Sequence, residues 1–285
     1  MKLEEIHIRD PFILPADGRY YLYGTRGSSS YGIGRGLDVY VSDDLMDWSE
    51  PHEAFTRPAD FWADRDFWAP EVHAFGGKYY MFASFKAEGK CRGTQILCAD
   101  SPMGPFLPIT EEPVTPRDWE CLDGTLYVSP AGRPYLIFCH EWLQIKDGAM
   151  CAVELTPDLR ERAGEVRTLF HASEPAWVNK AGENFVTDGP YPVRLSDGKL
   201  LLLWSSFAAD GRYVEAMAVS DNGDITGHFH HLAEPLLPGD GGHGMVFRTY
   251  DGRMMFVMHA PNVGPKERPC LIEVEEKDGR LVAKI

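Results

Sequence analysis

One pattern occurs five times in this chain and limits what it can fold into. DPFILPADGRYYLYGT (10–25), PEVHAFGGKYYMFASF (70–85), DGTLYVSPAGRPYLIFCHEW (123–142), DGPYPVRLSDGKLLLLWSSF (188–207) and HGMVFRTYDGRMMFVMHAP (243–261) each join an apolar strand to a more apolar one through a glycine-containing turn. Glycine between two apolar runs is a hairpin signal, because such turns need residues with positive φ. The turn glycines Gly18, Gly77, Gly132, Gly198 and Gly252 stand 59, 55, 66 and 54 residues apart. That period is too long for two strands. The rest of each repeat supplies two more strand-like runs, from LDVYVSDDLMDWSEPHEAF after the first hairpin to CLIEVEEKDGRLVAKI after the last. Four strands per repeat, arrayed radially so that sheet edges are protected, make a propeller blade. The expected fold is all-β: a five-bladed β-propeller with four-stranded antiparallel blades, residues 1–285 forming one domain. A β-sandwich with coincidental hairpins is the alternative.

Composition excludes several partners. The net charge of −15 argues against nucleic acid, which needs basic patches on the protein. It argues equally against anionic membrane surfaces, and no run of 18 apolar residues is present to span a bilayer. The six cysteines show no CxxC spacing and sit mostly in apolar runs such as LIFCHEW, so they read as buried thiols. MKLEEIHIRDPFIL lacks a basic stretch followed by an apolar core, and with the thiols this leads to the expectation of a cytoplasmic protein.

In a propeller the first strand of each blade lines the axis. The residues opening that strand are Asp10, Glu71, Asp123, Asp188 and His243, which precede the turn glycine by 8, 6, 9, 10 and 9 residues. Glu71 is the outlier. Each of these acidic positions has a local explanation as a turn initiator or bend. Together they place four carboxylates and a histidine at one mouth of the channel, where like charges raise one another's pKa. Such an unfavourable ring points to function. Paired carboxylates are the machinery of glycoside hydrolysis, one protonated to donate to the leaving oxygen and one ionised to activate water. Trp68, Trp142, Phe85 and Phe207 are candidate platforms for a sugar ring, with core packing as the alternative for each. Glu71 and Glu141 join them as candidate substrate-binding residues.

The chain resembles glycoside hydrolase family 43 along nearly its whole length. The resemblance rests on RDPFIL with YYLYGT, VSDDLMDW, FWAPEVHAFGGKYYMFAS, LDGTLYV, TDGPYPVR and GGHGMVF, one motif after another in blade order. It implies an inverting glycosidase of the kind that acts on β-xylosides and α-L-arabinofuranosides. Asp10 matches the general base, Asp123 the carboxylate that tunes and orients the acid, and Asp188 the general acid. The family places Glu at that last position, and the shorter Asp reaches about 1.5 Å less far. Glu183 and Glu141 are therefore alternative proton donors. His243 matches a histidine that often holds a hydrated ion such as Ca2+. One histidine without a carboxylate partner in sequence is a poor metal signature, so a hydrogen-bonded channel histidine is the other reading. Arg268, in KERPCLI, resembles an arginine that reaches the sugar.

The expected function is an exo-acting, inverting glycosidase removing terminal arabinofuranosyl or xylosyl units from short oligosaccharides, with no cofactor required for the chemistry. A sugar-binding propeller without hydrolysis is one competitor. The other is a retaining, fructosidase-like enzyme, which would need Asn-Asp-Pro where this chain has Arg9-Asp10-Pro11. Loops 24–36 and 141–148 are expected to shape the pocket rim.

Overall fold

The structure, a computed structural model, describes residues 1–27, 30–237 and 239–284; Ser28 and Ser29 of the expected rim loop lie outside them. Each repeat forms one antiparallel sheet whose four strands lie side by side in chain order. Blade 1 is β1 (Ile8–Ala16), β2 (Arg19–Arg26), β3 (Gly36–Ser42) and β4 (His52–Thr56). Blade 2 is β5 (Arg65–Phe75), β6 (Lys78–Lys86), β7 (Gly93–Ala99) and β8 (Leu107–Pro108). Blade 3 is β9 (Cys121–Val128), β10 (Pro134–His140), β11 (Ala149–Glu154) and β12 (Arg167–His171), with the short helix α1 (Trp142–Ile145) after β10. Blade 4 is β13 (Asp188–Arg194), β14 (Leu200–Phe207), β15 (Tyr213–Ser220) and β16 (Phe229–His231). Blade 5 is β17 (Gly242–Arg248), β18 (Met254–Ala260), β19 (Arg268–Lys277) and β20 (Arg280–Ala283). The inner strands β1, β5, β9, β13 and β17 pack each against the next, and β17 returns to β1 to close the ring.

The hairpin turns are built as the repeat requires. Gly18, Gly77, Gly132, Gly198 and Gly252 have φ of 76°, 80°, 77°, 87° and 89°, which a side chain would resist. Aromatic and aliphatic side chains fill the seams between blades: Phe55 and Phe85 between blades 1 and 2, Phe170 and Trp204 between 3 and 4, Leu203 and Phe256 between 4 and 5. Burying each contributes about 1.5–3 kcal/mol. No strand is exchanged at the closure among the described residues. Side chains do that work instead, with the Tyr250 N–H on the Tyr20 hydroxyl at 3.0 Å and Arg268 Nε on the Glu4 carbonyl at 2.9 Å.

A second repeat, invisible in the composition, positions the site. Every inner strand carries a β-bulge near its start, where two of its residues oppose one on the neighbouring strand. The first bulged residue is left-handed in every blade: Asp10 (φ 52°), Ala69 (47°), Asp123 (56°), Gly189 (55°) and His243 (51°). At four seams its N–H donates to a side chain on the second strand of the preceding blade. Ala69 meets Thr25 Oγ1 at 2.8 Å, Asp123 meets Ser84 Oγ at 2.8 Å, His243 meets Ser205 Oγ at 2.7 Å and Asp10 meets His259 Nδ1 at 3.2 Å. Cys139 occupies the fifth equivalent position, and there the Gly189 N–H turns to Asp123 Oδ2 at 3.0 Å instead.

Candidate active site

The bulges converge on a pocket of about 240 Å³ at one mouth of the channel. The left-handed residues of three blades, Asp10, Asp123 and His243, line it. So do residues one place earlier on four blades: Arg9, Trp68, Leu122 and Asp188. A non-glycine residue in the left-handed region costs on the order of 1–3 kcal/mol and persists where the surroundings enforce it. Here the inter-blade hydrogen bonds supply that enforcement.

The carboxyls of the pocket have contrasting partners. Asp10 Oδ2 accepts the Thr25 hydroxyl at 2.6 Å, and Oδ1 lies 3.2 Å from His243 Nδ1. Burial by itself would raise Asp10. His243, the Arg9 guanidinium and the Thr25 hydrogen bond outweigh it, holding the carboxyl below its ordinary range. His259 lies 3.5 Å from the same carboxylate oxygen, but it is no cation. Its Nδ1 accepts the Asp10 N–H, its Nε2 faces Asn262 Oδ1 at 3.1 Å, and burial pushes it down to about 4.

Asp123 and Asp188 go the other way. Burial, then the nearby Asp10 carboxylate, push Asp123 well above the carboxylate range, against the Gly189 N–H that it accepts. Burial, then Asp123, push Asp188 up to about 7, against His243 and a 3.0 Å hydrogen bond from the Tyr213 hydroxyl to Oδ2. One pocket thus holds an ionised carboxylate, Asp10, and two carboxyls, Asp123 and Asp188, whose hold on the proton is strengthened.

His243 Nδ1 stands between Asp10 Oδ1 at 3.2 Å and Asp123 Oδ2 at 3.7 Å. Calcium takes six to eight oxygen ligands. With Nδ1 turned to the carboxylates, His243 has one other ring nitrogen to offer a cation. Among the described residues no group of three His, Cys, Asp or Glu side chains is set to hold a metal. The donor set does not fit a protein-held calcium ion.

Part of the lining is aromatic. Trp68 and Trp142 both line the pocket, Trp68 with the Arg92 guanidinium 3.6 Å from its ring centre and its indole N–H on the Ser30 carbonyl. Buried Glu141 also lines it, 3.6 Å from Arg92 Nε, and burial raises its pKa. Exposed Tyr31 and Leu143 stand at the rim.

Five expected participants lie elsewhere. Phe85 is fully buried between the rings of Phe55, Phe61 and Phe67, at 5.7, 5.0 and 4.7 Å, and is core. Phe207 packs on the Tyr213 ring at 5.3 Å, outside the lining. Glu71 follows the left-handed Ala69 by two residues, so it falls outside the lining and pairs with His73 Nε2 at 3.1 Å. Arg268 spends its guanidinium on the carbonyls of Glu4, Pro265 and Glu267. Glu183 is exposed and does not line the pocket.

Sequence reasoning missed Arg9, Thr25, Tyr213 and His259. Arg9 was within reach, since it adjoins Asp10. It is the arginine that lines the pocket, fixed by Glu267 Oε1 and Asn262 Oδ1 at 2.9 Å each. Thr25 and His259 were signalled by the small or polar residues near the ends of the second strands.

Comparison with known proteins agrees with this architecture. The sequence model for glycosyl hydrolases family 43 matches residues 5–280. The crystal structure of an endo-arabinase from Bacteroides thetaiotaomicron is 41% identical and superposes with a TM-score of 0.91, covering 98% of each chain. An endo-1,4-β-xylanase structure from the same organism is 26% identical, with a TM-score of 0.81 over 98% of this chain and 94% of that one. An extracellular exo-α-(1→5)-L-arabinofuranosidase, ArbA, from Cellvibrio japonicus is 22% identical over 90% of this chain and 80% of its own.

Proposed function

The chain belongs to glycosyl hydrolase family 43 and is a glycoside hydrolase of arabinose- and xylose-containing saccharides; from that premise we propose an exo-acting, inverting enzyme with Asp10 as base and Asp188 as acid. One observation carries the assignment. Two carboxyls lining a single pocket are held in opposite protonation states by different partners, which is how acid and base are told apart. Asp10, ionised, takes a proton from the water that attacks the anomeric carbon. Asp188 gives its proton to the departing glycosidic oxygen as that bond breaks. Water is the nucleophile, so no glycosyl-enzyme forms and configuration inverts. Asp123 acts through its neighbour: after burial, its carboxyl is the group that does most to raise Asp188 and so helps to keep the Asp188 proton in place. His243 holds Asp10 and Asp123 in register as a hydrogen-bonding group.

The exo reading rests on the pocket. At about 240 Å³ it falls below the roughly 300–1,000 Å³ of sites for larger ligands, suiting one or two sugar units with the glycan leaving past Tyr31 and Trp142. The Bacteroides relative is endo-acting by its description and the Cellvibrio relative exo-acting and extracellular, so chain position and location differ among relatives. The extracellular relative points away from the expected cytoplasmic location. No helix among the described residues is long and apolar enough to cross a membrane.

A panel of nitrophenyl α-L-arabinofuranoside, β-D-xyloside and galactofuranoside, with proton NMR of the first-formed product, tests this reading. Cleavage of a pentoside with inverted anomeric configuration is expected. A retained configuration, or no cleavage of any glycoside, contradicts it. Activity should fall as pH rises through about 7, where Asp188 gives up the proton it must donate.

A further inference from the structure

Tyr213 is held in the pocket from several sides. Its N–H donates to Asp240 Oδ1 at 3.0 Å, which fixes the start of β15. Its ring stacks on the His259 imidazole, 5.8 Å between centroids and 20° from parallel. On another side stands Gly242, where a Cβ would come within 3.0 Å of the Tyr213 ring and 2.5 Å of Ser205 Oγ. The slot exists because that residue is glycine. Held this way, the hydroxyl reaches Asp188 Oδ2 at 3.0 Å, and no group among the described residues hydrogen-bonds Oδ1.

We propose that Tyr213 is a positioning residue for the reaction: its hydroxyl holds Asp188 by one oxygen, leaves the other toward the leaving group and eases release of the proton. The inference rests on reading Asp188 as the acid. It also ties acid to base mechanically, because the imidazole beneath the Tyr213 ring is the one that receives the Asp10 N–H. The next inward-facing residue on the same strand, buried Glu215, accepts Ser205 Oγ at 2.7 Å and the Gly244 N–H at 3.0 Å, so β15 also braces the His243 bulge.

The groups acting on Asp188 come from several elements. Asp123 on β9 and Asp10 on β1 raise it, while His243 on β17 and Tyr213 on β15 lower it. Cys139 on β10 and Arg9 on β1 stand nearby, Cys139 keeping its thiol proton because burial pushes it well up. A hydroxyl donating to a carboxylate favours the ionised form. Its removal must therefore raise Asp188, keep it protonated to higher pH and move the basic limb of the pH–rate profile upward. Loss of packing alone would lower the rate equally at every pH.

The experiment is a carboxyl titration of Tyr213→Phe by carbon NMR on protein labelled at aspartate side chains. The Asp188 resonance is identified by its loss in Asp188→Asn. Native Asp188 should titrate near 7, and in Tyr213→Phe about one unit higher, a tenfold change in its ionisation constant. The basic limb of kcat/KM should move by the same amount. Phe207→Ala, which touches the same ring without the hydroxyl, should leave the titration in place. An unmoved Asp188 in a Tyr213→Phe protein that stays folded and still hydrolyses glycosides overturns the inference and leaves the acid assignment standing. Absence of hydrolysis by the native protein overturns the assignment beneath it.

Discussion

Asp10 on blade 1 and Asp188 on blade 4 are the same residue type, lie in the same pocket and are both largely buried. Around Asp10, the Thr25 hydroxyl, His243 and Arg9 all favour a negative charge. Around Asp188, burial and the Asp123 carboxyl oppose one, and the Tyr213 hydroxyl and His243 only partly offset them. Burial is common to both, so the partners that each blade supplies decide the charge. Sequence proximity to Gly or Pro does not.

The comparison breaks most completely at Asp10. Asp10→Asn preserves shape and sugar binding but cannot accept a proton, so turnover should fall by about 10²-fold or more with KM little changed. Near-native turnover would mean that the ionised carboxylate is not the base. A smaller effect should follow His243→Ala. Asp10 sits low because His243 helps to hold its charge, so removing the imidazole raises Asp10 toward its ordinary value. The acidic limb of the pH–rate profile, below which Asp10 is protonated and idle, should then move to higher pH. Activity near neutrality should be much less affected. A fixed acidic limb, with activity lost to chelators in the native protein, would instead assign His243 to a metal.

The blades were legible because turn glycines and apolar strand pairs recur at nearly constant spacing. The site was legible where identity and backbone conformation coincide. Asp10, Asp123 and His243 all occupy the left-handed bulge position. In blade 4 glycine takes that position and Asp188 precedes it; in blade 2 Ala69 takes it, and Glu71, two residues later, misses the pocket. Sequence shows the acidic residue but not which step of the bulge it occupies. Phe85 and Phe207 close second strands just as Thr25 and Ser205 nearly do, and only the pleat decides which faces the pocket, the seam or the core. Tyr213 was out of reach. It opens a third strand, and its contact with Asp188 exists only once β13, β14 and β15 are side by side.

The division of labour between the two aspartates is tested most directly by leaving-group dependence in Asp188→Asn. An activated aryl glycoside departs without protonation, whereas an alkyl or sugar leaving group needs a donated proton. The account predicts that Asp188→Asn loses little on the activated substrate and progressively more as the leaving group worsens. Asp10→Asn should be equally impaired on all. A uniform loss in Asp188→Asn, or the leaving-group dependence appearing in Glu141→Gln instead, would contradict the assignment of Asp188 as the proton donor.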